Sequence, residues 1–249
     1  MGSAFPGSAG GYLLSTDARK FIPYVDHPEL PRIVADELHV WRYFTFAQFL
    51  ALLEFQALHF TRVDLLPDPF VDIESHPNLT ALPPMSAAGV RRALDMMRIS
   101  RQAIFVNSWY GGGSELPGVW QSCGGKNCGI AVRSSIGGMK TALQRASPNV
   151  HISRVLYLDY DIDPIPLGNA YLSALHKEKK LQAEQEVRAL FLQVGRDSTT
   201  FSPGPREGVD VGIDAATLIE GVLAAPESDA WFYRLVAAEC KRCHVNVGF

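Results

Sequence analysis

Two carboxylates and a guanidinium stand at alternate positions in the segment Glu184-Gln-Glu186-Val-Arg188. In a β-strand, alternate side chains lie on one face, so these three would face the same way, opposite Val187 and Ala189. Such residues can form a catalytic acid or base together with the group that orients it. The same pattern also suits a salt-bridge ladder on an exposed face, and the spacing leaves both interpretations open.

A second group of charged side chains lies in the otherwise apolar residues 39–70: Arg42, Arg62, Asp64 and Asp68. A charge in apolar surroundings must be paired or have a function, because its desolvation is costly. The predicted elements are a strand at 39–44, a helix at 46–58 with Thr45 as N-cap, and a strand at 58–63. Pro67 and Pro69 then form a rigid corner. The apolar positions at helical spacing are Phe46, Phe49, Leu50, Leu53 and Ala57.

The rest of the chain is predicted to mix helices and strands without regular alternation, which favours an α+β fold with mixed, mostly antiparallel sheets and flanking helices. Strands are predicted at residues 102–110, 128–134, 151–161, 186–194, 209–214 and 244–249. Helices are predicted at residues 86–101, 170–185 and 229–243, with a short helix or turn pair at 134–147 and a strand or short helix at 216–226. The 86–101 helix would begin at Ser86 and bury Val90, Leu94 and Met97.

Composition indicates a globular protein. The chain has 249 residues, of which 47% are hydrophobic, enough for one α+β domain, placed at residues 37–249. Residues 1–36 are predicted to be a flexible leader and an irregular, proline-rich arm. The net charge of −3 gives no support to a general nucleic-acid binder. No apolar run reaches the roughly 18 residues of a membrane span, so we expect no membrane partner and a cytoplasmic location.

The four cysteines allow two interpretations. Cys240-x-x-Cys243-His244 has the spacing of a haem attachment, and Cys123 with Cys128 could complete a four-sulfur zinc set. Buried free thiols are the simpler interpretation, and no metal site is predicted. Nucleotide-binding glycine loops, nucleophile elbows and zinc-protease helices have no match in the sequence.

Several short motifs follow one another along the chain. They are Trp41-Arg42-Tyr43, the corner Leu58 to Phe70, Asn107-Ser108-Trp109, Trp120 before Gly129-Ile130-Ala131-Val132, the strand Val155 to Tyr160, and Lys177 ahead of Glu184, Glu186 and Arg188. Taken in order, over about residues 37–249, these motifs resemble a family of microbial domains known as domain of unknown function 2971. The chain departs from the family pattern in having Val71 where Glu is usual and Val119 where Met is usual.

The layout is also similar to that of the ADP-ribosyltransferases. This second resemblance implies that NAD is the substrate, that Arg42 binds its ribose and phosphate side, that Ser108 lies near the nicotinamide, and that Glu186 is the catalytic carboxylate with Glu184 upstream. Trp109 or Tyr110 could stack on the nicotinamide. The catalytic residues are then Glu186, Glu184 and Arg42. The residues expected to contact NAD are Arg42, Tyr43, Arg62, Ser108, Trp109 and Tyr110.

Three functions are carried forward. The first is an NAD-using ADP-ribosyltransferase or NAD glycohydrolase with an unknown acceptor, in which Arg42 and Glu186 converge on one cleft. The second is a silent binding or regulatory domain of the same fold, in which Arg42 pairs with Glu184 or Glu186. The third is a metal-dependent nucleic-acid enzyme with Asp64, Asp68 and Glu186 around Mg²⁺.

Overall fold

The structure is a computed structural model that describes residues 30–33, 35–66, 87–111, 119–144, 146, 149–163, 169–194 and 201–245. The predicted leader, most of the arm and the Pro67–Pro69 corner lie outside these ranges. The end of the arm packs on the body, since Leu30 is buried and the Ser153 hydroxyl donates to the Pro31 carbonyl at 3.0 Å. None of the described helices is long and apolar enough to cross a membrane.

The described residues form an α+β structure with mostly antiparallel strands. The strands are β1 (His39–Thr45), β2 (Ala57–Arg62), β3 (Ile104–Tyr110), β4 (Gly129–Ser135), β5 (His151–Arg154), β6 (Leu156–Leu158), β7 (His176–Glu178), β8 (Glu186–Leu192), β9 (Val209–Gly212) and β10 (Gly221–Ala224). The helices are α1 (Phe46–Phe55), α2 (Ala87–Ala103), α3 (Val119–Ser122), α4 (Ile136–Ala142), α5 (Ala215–Leu218) and α6 (Ala230–Arg242).

The main sheet has eight strands and is split beside its central strand, β3. One edge of β3 pairs with β8 along its whole length. The other edge is shared, because β2 pairs with Phe105 and Val106 at one end and β1 pairs only with Tyr110 at the other. Residues 107–109 of β3 therefore face a gap between β1 and β2. Strands β4 and β10 extend the sheet beyond β1, β9 beyond β2, and β5 beyond β8; β6 and β7 form a separate parallel pair.

The two faces of the main sheet are covered differently. Helices α1, α4, α5 and α6 cover one face and bury the large core cluster, represented by Phe49, Met139, Leu218 and Phe232. The other face carries two smaller clusters. One is aliphatic, with members Leu30, Val63, Ile104, Val106, Ala174, Leu175 and Leu190. The other is aromatic in character and is described with the site below.

The predicted strand–helix–strand unit is confirmed. Thr45 forms a capping box with Gln48, in which each side chain accepts a hydrogen bond from the other residue's backbone. The helix ends at Phe55, earlier than predicted, because Gln56 adopts a left-handed conformation with φ 49°. The side-chain amide of Gln56 donates a hydrogen bond to the Leu53 carbonyl at 2.8 Å, and the chain turns there into β2.

Residues 151–161 were predicted as one strand, and this prediction was wrong. The backbone divides at Val155, whose amide donates to the Glu186 carbonyl, while the Leu156 amide donates to the Leu175 carbonyl. Strand β5 before the division pairs with β8, and β6 after it pairs with β7. The two halves of this one periodic segment therefore belong to two different sheets.

The predicted helix at 170–185 was also wrong. The segment consists of a 3₁₀ turn at Ala170–Ala174, strand β7, and a second 3₁₀ turn at Lys179–Glu184. Helical propensity is a weak preference that tertiary contacts override. Here the backbone of Lys177 pairs with Tyr157 of β6, and its ammonium group is drawn to two carboxylates.

The other predicted elements are largely confirmed. Strands β3, β4, β8 and β9 and helices α2, α4 and α6 lie where they were expected, and residues 216–226 contain both the end of α5 and β10. Most of the predicted strand at 244–249 lies outside the described residues, as do Ser86 and the side chains of Val90, Leu94 and Met97.

Candidate functional site

Strands β3 and β8 bring the predicted residues Ser108, Tyr110 and Glu186 together on one face, along with Arg188. Tyr110 stands opposite Glu186, and Ser108 opposite Arg188. The Arg188 guanidinium donates two hydrogen bonds to the Glu186 carboxylate, Nε to Oε1 at 2.7 Å and Nη2 to Oε2 at 3.1 Å. The Ser108 hydroxyl also hydrogen-bonds to this carboxylate. Glu186 is only 5% exposed and Arg188 only 3%, so the pair is buried.

Lys177 of β7 joins Glu184 to the same cluster. Its Nζ lies 2.6 Å from Glu184 Oε2 and 3.3 Å from Glu186 Oε2. Glu184 does not belong to β8 as the alternation predicted, because Gln185 adopts a left-handed conformation with φ 44°. Its carboxylate still returns to the cluster through Lys177. Together with Arg188, the cluster contains two positive and two negative groups.

The electrostatic surroundings fix the protonation of these groups. Burial alone would raise the pKa of Glu186, but Arg188, Lys177 and Ser108 outweigh burial and lower it below its ordinary value. Burial and the two nearby glutamates raise the pKa of Tyr110. Burial raises the pKa of Tyr157 to about 12, while its hydroxyl accepts a hydrogen bond from the Glu186 amide at 2.8 Å. The site therefore presents a carboxylate that stays ionised beside tyrosines that stay protonated.

An aromatic wall continues from Tyr110 along this face. Tyr43 packs edge-on against Tyr110 at 5.7 Å and against Trp120 at 5.1 Å between ring centroids. Trp41 pairs with Tyr110 across β1 and β3 and belongs to the same cluster. Trp41, Tyr43 and Trp120 are buried, so the partly exposed Tyr110 is the ring of this wall that could pack against a planar group such as nicotinamide.

A cavity of about 700 Å³ adjoins the start of β8. It gives a ligand space beside Glu186 and Tyr157. Its lining residues are Leu38, Gly111, Arg154, Val155, Tyr157, Gln182, Ala183, Gln185, Glu186 and Val187.

Arg42 lies at the gap between β1 and β2, and it lines a different cavity from Glu186. Its Nη1 donates to the Ser108 carbonyl at 2.6 Å, and its guanidinium lies 5.3 Å from the centre of the Phe44 ring. The Nε is buried and has no hydrogen-bond partner among the residues that the structure describes. Burial lowers the pKa of Arg42, and the nearby Tyr110 and Glu186 offset only part of this effect, so the pKa falls to about 10. Within the described ranges no carboxylate forms an ion pair with Arg42.

A second cavity, of about 390 Å³, lies at this gap. Strands β1 and β2, helix α1 and Asp210 of β9 form its walls. At its more exposed part, the His59 Nδ1 lies 2.8 Å from Asp210 Oδ1. Its lining residues are Arg42, Tyr43, Phe44, Gln48, Ala51, Leu52, Phe55, Ala57, Leu58, His59, Thr61 and Asp210.

Two residues expected to contact NAD lie apart from Glu186. Trp109 points to the opposite face, is fully buried in the main core, and donates its Nε1 to Asn107 Oδ1 at 2.7 Å. Arg62 is held by both oxygens of Asp64, at 2.7 and 2.9 Å, and by the Gly204 carbonyl. It stands opposite Phe105, five residues from Tyr110 along β3, or about 16 Å at the usual rise of a strand.

The carboxylates suggested for a magnesium site are not assembled. Asp64 is paired with Arg62 and Glu186 with Arg188, while Asp68 lies outside the described residues. In the part of the chain that the structure describes, no three His, Cys, Asp or Glu side chains are placed to hold a metal ion. The four cysteines are free, and Cys240 is buried in the main core.

Sequence reasoning did not identify Tyr157, His59 or Asp210 as parts of a site. Tyr157 reaches Glu186 only because the chain divides at Val155. His59 meets Asp210 because β2 pairs with β9, across 151 positions of sequence. Neither contact leaves a local signal in the sequence.

Comparison of the chain with models of protein families, with curated proteins and with solved structures gives no match.

Proposed function

We propose that the chain uses NAD, as an ADP-ribosyltransferase or NAD glycohydrolase, at the face that carries Ser108, Tyr110 and Glu186. The observation behind this proposal is the ionised Glu186 carboxylate, hydrogen-bonded to Ser108 and flanked by an aromatic wall. The pairing of β3, which carries Ser108, with β8, which opens with Glu186, also supports the proposal.

The chemistry requires few groups. Breaking the bond between the ribose C1′ and the nicotinamide nitrogen leaves the electron pair on nicotinamide and builds positive charge on the ribose. A fixed negative carboxylate, Glu186, stabilises that charge. Water or an acceptor then forms the new bond to C1′ and loses a proton. A guanidinium such as Arg42 would bind a phosphate, and Tyr110 would pack against the nicotinamide ring.

A second candidate is a domain that binds NAD without cleaving it. The observation favouring it is that Arg188 occupies both oxygens of Glu186 and Lys177 lies 3.3 Å from one of them. A carboxylate that is already neutralised offers less stabilisation to a developing cation. In this case the ion cluster fastens β7 to β8, and catalysis is absent.

One experiment separates these two candidates. NAD binding is measured by titration calorimetry and nicotinamide release by chromatography, for the wild type, Glu186→Gln and Ser108→Ala. Glu178→Gln is the matched control, because it makes the same change at a half-buried carboxylate of β7 that pairs with Lys180. Thermal denaturation shows that each variant is folded.

If the protein cleaves NAD, we expect the wild type and Glu178→Gln to release nicotinamide and Glu186→Gln to release none. Both variants should still bind NAD. Binding without release in the wild type would replace the first candidate with the second. If the wild type neither binds NAD at millimolar concentration nor releases nicotinamide, both candidates are wrong.

A further inference from the structure

The Arg42 side chain is half-buried, and its guanidinium forms no ion pair with the described residues. One of its nitrogens donates to a backbone carbonyl, which is neutral, and its Nε is buried without a hydrogen-bond partner among those residues. Glu186, whose charge acts on Arg42, has both oxygens engaged by Arg188, and Asp210 of the same cavity contacts His59. An uncompensated buried charge is costly unless something neutralises it. The surroundings of Arg42 therefore lack one negative group.

The cavity that Arg42 lines also has apolar walls. Phe44, Leu52 and Leu58 contribute them from three different elements. Phe55 completes the lining at the end of α1, although 71% of its surface is exposed. An exposed phenylalanine beside a concave surface marks a place where an apolar group could be covered. The volume of about 390 Å³ lies in the range of roughly 300–1,000 Å³ that is usual for ligand sites.

The opposite wall holds its shape without a ligand. Asp210 contacts the His59 ring at Nδ1, and Asn107 of β3 fixes the His59 backbone by donating its side-chain amide to the His59 carbonyl at 2.8 Å. Gly208, with φ 91°, passes so close to the His59 Nε2 that a Cβ there would collide with it. A ligand would therefore meet a preformed wall, which keeps the ordering cost of binding low.

We propose that this cavity binds a small organic anion: a phosphate or carboxylate that pairs with Arg42, joined to an apolar group that packs against Phe44, Leu52 and Phe55. The proposal does not require NAD turnover, because a silent binding domain would use the same contacts, and the phosphate assigned to Arg42 above is one anion of this class. It assigns the cavity a ligand class, and it assigns Arg42 the role of neutralising that ligand.

The test measures thermal stability and binding with defined probes. Phenyl phosphate and benzoate carry both features, inorganic phosphate carries only the charge, and benzyl alcohol carries only the ring. A ligand that binds the folded state alone raises the melting temperature. We expect phenyl phosphate or benzoate to raise it more than the other two probes, and the better of them identifies the preferred anion.

Arg42→Met is the decisive variant. Removing an unpaired buried charge should leave the free protein as stable as the wild type or more stable, while the affinity for the anionic probes falls at least about tenfold. Ala51→Phe fills the cavity from α1 and should also abolish binding with Arg42 still present. Arg234→Gln, at an exposed position of α6, removes a charge elsewhere and should change nothing.

Two results would overturn the proposal. One is the absence of any stabilisation by phenyl phosphate or benzoate at about 10 mM, because a ligand with a dissociation constant above that concentration does not bind specifically. The other is equal binding by the wild type and Arg42→Met. Loss of nicotinamide release would not bear on it, so this proposal and the NAD proposal fail separately.

Discussion

Replacing Arg188 by Met tests the buried ion cluster directly. The change removes both bonds to Glu186 and the bond from Arg188 Nη1 to the Ala174 carbonyl, while keeping a side chain of similar length. Glu186, 5% exposed, is left with Lys177 at 3.3 Å and the Ser108 hydroxyl. Breaking one partner of a buried pair costs about 3–5 kcal/mol. We expect the free energy of unfolding at pH 7 to fall by that amount.

The double variant Arg188→Met with Glu186→Gln should lose less than the sum of the two single variants. A neutral amide needs no counter-ion, so the two changes compensate each other by about 1–3 kcal/mol. The assay is urea denaturation of the wild type, both single variants and the double variant. Arg242→Met is the control, because its ion pairs with Glu54 and Glu239 involve an exposed guanidinium, and exposed ion pairs contribute little to stability.

Acid should reduce the cost of Arg188→Met. The pKa of Glu186 is lowered in the folded state, so its contribution to stability is fully present above the unfolded value of about 4.3 and is lost as pH falls through the folded pKa. Without Arg188 the folded pKa rises, and the variant carries a protonated Glu186 at mild acid pH. A cost under about 1 kcal/mol at pH 7, or one that does not shrink in acid, would refute this account of the cluster.

Three further predictions concern the framework. Gly208→Ala should destabilise the fold by more than about 1 kcal/mol, since φ is 91° and a Cβ would strike His59; a lower urea midpoint with an unchanged slope would show it. Trp109→Phe should cost about 1–3 kcal/mol, because it leaves the buried Asn107 Oδ1 without its 2.7 Å donor, and an unchanged melting temperature would contradict this. Thr45→Ala should cost about 1 kcal/mol by removing the α1 cap, which thermal denaturation against Thr45→Ser as control would measure.

The sequence alone determined the local elements that carry strong local signals. Thr45 before an apolar helical repeat placed α1, and β-branched and aromatic runs placed β3, β4 and β8. Alternation along β8 placed Glu186 and Arg188 on one face. The same rule, applied to β3, separates Ser108 from Trp109, because neighbouring residues of a strand face opposite ways.

Tertiary structure decided which segments meet. The composition of residues 170–185 favours a helix, yet pairing with β6 and the attraction of Lys177 to Glu184 and Glu186 draw part of the segment into a strand. Local propensity amounts to tenths of a kcal/mol per residue, and a buried charge that needs a partner is worth several times more. Likewise, the gap at which Arg42 lies exists only because β1 and β2 share one edge of β3. No short stretch of sequence encodes that sharing, since it depends on strands that meet across long separations.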